Sequence, residues 1–399
     1  MEIPESGSGC STGEVAPQSP LIPGLPDDVA ICCLARVPRK YHVNLRCVSK
    51  RWRDLVRCDD WLHYRSKCGI QETWIYALCK DRYDQVCCYV LDPSANQRHW
   101  KPIRLFDDPL KRSGGIGFEV VGSKMYILGG CSWTEDSSDE VYCFDTLTNT
   151  LTTVASLTTA RYFDHLFHGI VAIFLVAIVL IGRDKAQAQS YSDIPNFFPV
   201  FRCYFACETL NGKIYAIGGM SSPSSDAHSS ETYDPITNSW TCISNPDMFC
   251  YIHDSTLMTG KIYIRGRTSI VSPIREAIYE PSSNSWQHLD SDMASGLRGP
   301  AVVADGILYV LDQTFGTKLI MWCEESREWV PVGRLSSLLT RPPCRLVAIG
   351  RTIYVIGTGL STVIIDLDNI GNQAGVVVCS SIPNLDSHEV VLSCKCVDI

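Results

Sequence analysis

The chain lacks most of the marks by which a catalyst, a secreted protein or a membrane protein is recognised. It opens Met-Glu-Ile-Pro-Glu-Ser, with neither a basic start nor an apolar run, so no signal peptide is expected. Its longest apolar run, Ile170 to Ile181, has twelve residues where roughly 20 are needed to cross a bilayer. Cysteine is abundant, at 20 of 399 residues, yet no pair has the Cys-x-x-Cys spacing of a zinc site. Without a secretory signal those thiols are expected to be reduced and used for packing. Charged residues are only 20% of the chain and the net charge is −8, which argues against a general nucleic-acid binder. No nucleophile elbow, phosphate loop or paired-carboxylate motif is present, and the nine histidines are dispersed. His165 and His168 have an i, i+3 metal-ligand spacing but no visible third ligand. The expectation is therefore no catalytic residue, no metal and no cofactor, in a protein of the cytoplasm and/or nucleus.

What is present is a repeat. Lys213-Ile-Tyr-Ala-Ile-Gly-Gly219 recurs as Lys124-Met-Tyr-Ile-Leu-Gly-Gly130, Lys261-Ile-Tyr-Ile-Arg-Gly266, Ile307-Leu-Tyr-Val-Leu311, Thr352-Ile-Tyr-Val-Ile-Gly357 and, more weakly, Trp74-Ile-Tyr-Ala-Leu78. The tyrosines are 50, 89, 48, 46 and 45 residues apart, a period that marks propeller blades. A second element keeps the same beat. Tyr233 to Trp240, Tyr279 to Trp286, Trp322 to Trp329 and Phe144 to Leu151 each span a seven-residue step across turn-forming residues. The glycines suit a bulge or tight turn.

The two elements together resemble the kelch repeat over residues 72 to 365. Six copies imply a six-bladed all-β propeller over 72–399. The first copy lacks a preceding strand, and His388 to Cys394 is a spare one at the far end, expected to complete blade one and leave no open edge. Propellers bind partners through loops at one mouth of the channel. Here those are the loops after the glycine strand, which include Trp133, Arg267 and Phe315, and the approaches to the innermost strands, which carry Arg112, Arg161, Arg298 and Arg345. These seven are the candidate substrate-binding residues.

Ahead of the repeats, residues 1–20 are rich in Gly, Ser and Pro and are expected to be a disordered tail. Residues 21–71 then form a small all-α region with a helical linker. Asp27 and Asp28 suit a helix start after Pro26, with Val29, Cys33, Leu34 and Val37 on one face and Pro38 as a stop. Leu45, Val48, Trp52 and Leu55 step by three, four and three as a second apolar stripe. So small a region cannot bury both stripes alone. Between Arg39 and Arg57, seven basic residues face Asp54 alone, a patch that could complement an acidic partner.

This region resembles an F-box, and with the repeats behind it the chain resembles plant F-box/kelch proteins, substrate receptors of Skp–cullin–F-box ubiquitin ligases. The resemblance implies that Leu25, Pro26, Val29, Leu34, Pro38, Val48, Trp52 and Leu55 dock a Skp-type adaptor, and through it a cullin, while the propeller holds a protein substrate. Cys32 and Cys33 stand where larger aliphatics are common. The alternative is a kelch scaffold, or a small-molecule-binding or oxidase-like propeller, independent of ubiquitin.

The 89-residue gap breaks the period. Removing Phe163 to Cys203, 41 residues without any blade element, leaves 48. We expect a foreign insertion between blades two and three, such as a translated retained intron, with a membrane anchor as the rival reading.

Overall fold

The computed structural model describes residues 19–58, 60–106, 110, 114–131, 138–158, 161–162, 205–221, 230–244, 249, 251–268, 272–369, 379–382 and 388–399. The tail before residue 19, all of the insertion at 163–203 and the His165/His168 pair lie outside them. The chain divides into two compact units, Met1–Glu72 and Thr73–Ile399.

The first unit holds helices α1 (Asp27–Ala35), α2 (His42–Val48), α3 (Lys50–Arg57) and α4 (Trp61–Lys67). Two details differ from the sequence reading. The stripe from Leu45 to Leu55 belongs to two helices, because Ser49 is extended (φ −154°, ψ 163°) and its side chain accepts from the Trp52 N–H as an N-cap. In α1 the inward residues are Ala30, Leu34 and Ala35, while Val29 and Cys33 face outward. Ala30, Leu34, Leu45, Val56 and Trp61 form the small core.

A buried polar knot completes it. Arg65 is fully buried. Its guanidinium donates to Ala35 O (2.9 Å) and Val37 O (2.8 Å), carbonyls at and beyond the end of α1, and to the Glu72 carboxylate (2.5 Å). These bonds satisfy acceptors that a helix end leaves open. His42 lies 3.2 Å from Arg65 Nη1 and 3.2 Å from Arg39 Nη1. Burial, then the charges of Arg39 and Arg65, hold the His42 pKa down at about 3, so the ring is neutral and packs edge-on against Trp61.

The second unit is a propeller of six four-stranded antiparallel sheets. From the channel outward, blade 2 runs Gly117–Val121, Lys124–Leu128, Val141–Asp145, Thr150–Val154, and blade 3 runs Ala206–Leu210, Lys213–Ile217, Ser230–Asp234, Ser239–Ile243. Blades 4, 5 and 6 begin with Tyr251–Met258, Ala301–Ala304 and Arg345–Ile349. Blade 1 takes its innermost strand from the other end of the unit. Val390–Asp398 pairs antiparallel with Thr73–Lys80, from Thr73 opposite Asp398 to Lys80 opposite Val390. The closing strand thus reaches four residues further than the sequence suggested.

Each of the six blade interfaces has its own apolar cluster. The recurring aromatic pair feeds these clusters. Tyr233 and Trp240 stack at 5.0 Å, and Tyr279 and Trp286 at 4.8 Å, as direct cross-strand partners in the outer hairpin. Each Trp then donates its indole N–H to a carbonyl just past the preceding blade: Trp240 to Ala155, Trp286 to Ser244, Trp329 to Met293. The glycine doublets take positive φ, and a Cβ on Gly218 would meet Phe249 O at 2.5 Å. Arg161–Tyr162 and Met220–Ser221 form a separate two-stranded pairing at the edge of the insertion.

Candidate docking surfaces

On the helical unit, large apolar side chains point to solvent. Leu25 is 38% exposed, Val29 43%, Val43 61% and Val48 61%. Pro26, Pro38, Cys32, Cys33 and Cys47 are exposed too. The adaptor-docking candidates Leu25, Pro26, Val29, Pro38 and Val48 therefore lie at the surface, while Trp52 and Leu55 are half-buried and Leu34 is a core residue. Trp52 also has an internal task. Its indole N–H donates to Leu21 O (2.7 Å), and Arg51 of the same helix pairs with Asp27 (2.7 Å). Asp27 in turn accepts from the Leu21 N–H (2.7 Å), and that bond, together with Arg51, holds its carboxyl below the usual range. The segment before α1 is so fastened to α3. Val43 was missed in the sequence because it falls outside the 3–4 stripe of Leu45, Val48 and Trp52.

On the propeller, Arg112 and Trp133 lie outside the described residues, and of Arg161 only the backbone is described, paired with Ser221. Arg267 is half-buried, Arg298 exposed, and Phe315 is 89% exposed. Arg345 is committed to the closing strand, its Nε donating to Leu392 O at 2.6 Å. Of the four whose side chains are described, Arg345 lines the channel cavity and Arg267, Arg298 and Phe315 do not.

A cluster that sequence reasoning missed lies in the channel. Lys395 of the closing strand pairs with Glu119 of blade 2, and its Nζ lies 3.8 Å from Glu208 of blade 3. Glu119 also accepts from Thr209 Oγ1 (2.9 Å) and Glu208 from Ser255 Oγ (2.6 Å). Burial pushes the Glu119 carboxyl up to about 7, against the pull of Lys395. Burial also disfavours the Lys395 ammonium, but the two carboxylates outweigh it and hold its pKa above the usual lysine range. The signal was available. Glu119, Glu208, Thr256, Val302 and Val347 each stand seven residues before a repeat tyrosine and opposite it in register, and Lys395 is opposite Tyr76. This layer is polar over blades 1 to 4 and apolar over blades 5 and 6. The channel holds a cavity of about 300 Å³ lined by, among others, Glu208, Lys395, Val302 and Arg345. Among the described residues no group of three His, Cys, Asp or Glu is placed to hold a metal, and the described cysteines are free thiols. No described helix is long and apolar enough to cross a membrane.

Comparison with known proteins agrees with both units. The F-box domain family matches residues 22–63, and the Kelch motif matches 112–158 and 202–246, leaving out nearly the same stretch that breaks the period. F-box/kelch-repeat protein SKIP4 of Arabidopsis thaliana is 43% identical over 403 aligned positions, which cover 100% of this chain and 99% of that protein. This chain is an F-box/kelch-repeat protein. More distant family members from the same plant include F-box/kelch-repeat protein At1g67480, 27% identical over 67% of this chain and 61% of its own, and F-box/kelch-repeat protein At1g16250, 26% identical over 84% of this chain and 82% of its own. Within this F-box/kelch chain, the exposed apolar residues fall in the F-box match and the channel cluster in the propeller.

Proposed function

We propose that this F-box/kelch protein is the substrate-recognition subunit of a Skp–cullin–F-box ubiquitin ligase, acting in the cytoplasm and/or nucleus. The F-box would dock the adaptor, and through it the cullin, while the propeller binds a protein substrate. On this reading the chain carries no chemistry of its own, and ubiquitin transfer is accelerated by proximity. The observation that carries the reading is the set of exposed apolar residues Leu25, Val29, Val43 and Val48 on a folded helical unit, since several large apolar side chains left in solvent on so small a unit favour a partner site. The test is binding of a purified Skp-type adaptor to the full chain and to the L25D/V29D/V48D variant. All three positions are exposed, so the variant keeps its core. Binding by the first and not the second is expected. Absence of binding by the folded full chain would overturn the proposal.

The second reading, a propeller that binds a small molecule independently of ubiquitin, is favoured by the channel cavity and its Lys395 cluster. A full chain that fails to bind adaptor would promote it.

A further inference from the structure

The loop between the second and third strands of blade 5, Gln313 to Thr317, carries Phe315 almost fully in solvent. Two chain segments flank it. On one side, the approach to blade 5 brings Arg298-Gly-Pro300 against the end of the second strand, with Leu311 N–H donating to Pro300 O at 2.9 Å. A Cβ on Gly299 would stand 2.0 Å from Leu311 O, so glycine is what allows the approach. On the other side runs the connection to blade 6, Arg334 to Arg345. Leu335 N–H donates to Thr317 O (2.9 Å) and Gln313 Nε2 to Thr340 O (3.4 Å), binding loop and connection together. This connection exposes Leu338, 73% accessible, and exposes Arg334 and Arg341. Arg341 O accepts from Thr358 N–H (3.0 Å), which extends the patch to blade 6.

The charge of this patch is one-sided. The segments 298–300, 313–317 and 334–345 contain no Asp or Glu. Asp312, next to the loop in sequence, is buried, pairs with Lys318 (3.1 Å) and accepts from Thr314 N–H (2.9 Å). Arg298, Arg334 and Arg341 have no ion-pair partner among the described residues. In a chain of net charge −8 this is a local reversal of sign around two exposed apolar side chains.

We propose that this face of blades 5 and 6 binds an acidic peptide segment, in which an apolar side chain packs on Phe315 and Leu338 while flanking Asp or Glu carboxylates pair with Arg298, Arg334 and Arg341. Apolar anchors ringed by complementary charge are what a specific, salt-sensitive contact requires. Arginine suits the role because its planar fork meets a carboxylate with two hydrogen bonds. The proposal deepens the receptor reading by naming the chemistry of its substrate, but the contact itself does not depend on the adaptor.

The test uses the full chain and immobilised 12-residue peptides that carry one central Leu or Phe. The flanks are Glu and Asp, Gln and Asn, Lys, or phosphoserine. Preferential binding of the Glu/Asp set is expected, weakening as salt is raised. F315S/L338S and R298E/R334E/R341E should each lower it at least tenfold with thermal transitions unchanged. Equal binding to the Gln/Asn set, retention of phosphoserine peptides alone, no peptide binding, or full binding by either variant would overturn the proposal. Adaptor binding is measured on the same preparations. A loss there with peptide binding intact removes the receptor reading and leaves this surface standing.

Discussion

At the scale of single residues, two buried titratable groups respond to pH in opposite directions. His42 has a folded pKa of about 3, below its ordinary 6.5. A depressed histidine favours the fold while neutral, so its contribution is present above pH 6.5 and is lost as pH falls towards 3. Amide hydrogen exchange in α1 to α4, corrected for intrinsic rate, should therefore quicken between pH 7 and pH 5, and H42Q should flatten that change. Glu119 has its pKa raised to about 7 by burial. Its contribution is greatest below its ordinary 4.5 and is lost as pH rises through 7, so exchange in the innermost strands of blades 2 and 3 should slow on acidification. Lys395 is the counterweight. Replacing it with Met leaves two carboxylates facing one channel, at a cost of about 2–3 kcal/mol at pH 7.5 for a lysine a quarter exposed, and less at pH 5. Urea midpoints at the two pH values measure this, and an unchanged midpoint at pH 7.5 would remove the cluster from the account of stability. The Arg65 knot could not be seen in the sequence. Its partners Ala35, Val37, His42 and Glu72 lie 30, 28, 23 and 7 residues from it in the chain and follow no period.

At the scale of elements, punctuation decides more than propensity. Ser49 divides what periodicity alone shows as one helix. A one-residue break leaves the three-four-three rhythm of Leu45, Val48, Trp52 and Leu55 intact, so hydrophobic pattern cannot reveal it, and only the Ser at a cap position hints at it. S49A should destabilise the helical unit by about 1 kcal/mol, read as faster exchange at the start of α3. In the blades the punctuation is glycine. Gly218 combines positive φ with a backbone oxygen where a side chain would begin. G218A should cost about 1–3 kcal/mol, read as a lowered urea midpoint. The blade strands were legible because the tyrosine and the Tyr–Trp step repeat at one period. The channel charges repeat at the same period, but their identity changes from Glu to Thr to Val. A search for recurring residues therefore passes over them, and a search for recurring positions finds them.

At the scale of the whole molecule, the ring closes through a strand whose partner lies at the opposite end of the unit. Thr73 Oγ1 donates to Asp398 Oδ1 across 325 residues of chain. Ending the chain after Glu389 would expose the edge of Thr73–Lys80 and remove Lys395 in the same step. Such a protein is expected to aggregate and to lose its sharp thermal transition, as size-exclusion chromatography and calorimetry would show. Closure was legible because a spare strand at one end matched a missing one at the other. The helical unit's exposed face was legible in part: Leu25, Val29 and Val48 came from the family resemblance, whereas the burial of Leu34 and the internal bond of Trp52 depend on packing.

The same closure has a consequence in time. Strand Thr73–Lys80 leaves the ribosome more than 300 residues before its inner partner Val390–Asp398. At 5–20 residues per second, that is a wait of roughly 15–60 s. Throughout it the first blade presents an unpaired edge and half an apolar interface, the state that chaperones hold and proteases cut. A message that stops early leaves its product in that state permanently. Synthesis to the last strand is thus the proofreading step: only a chain read through to its closing strand can hide its edge.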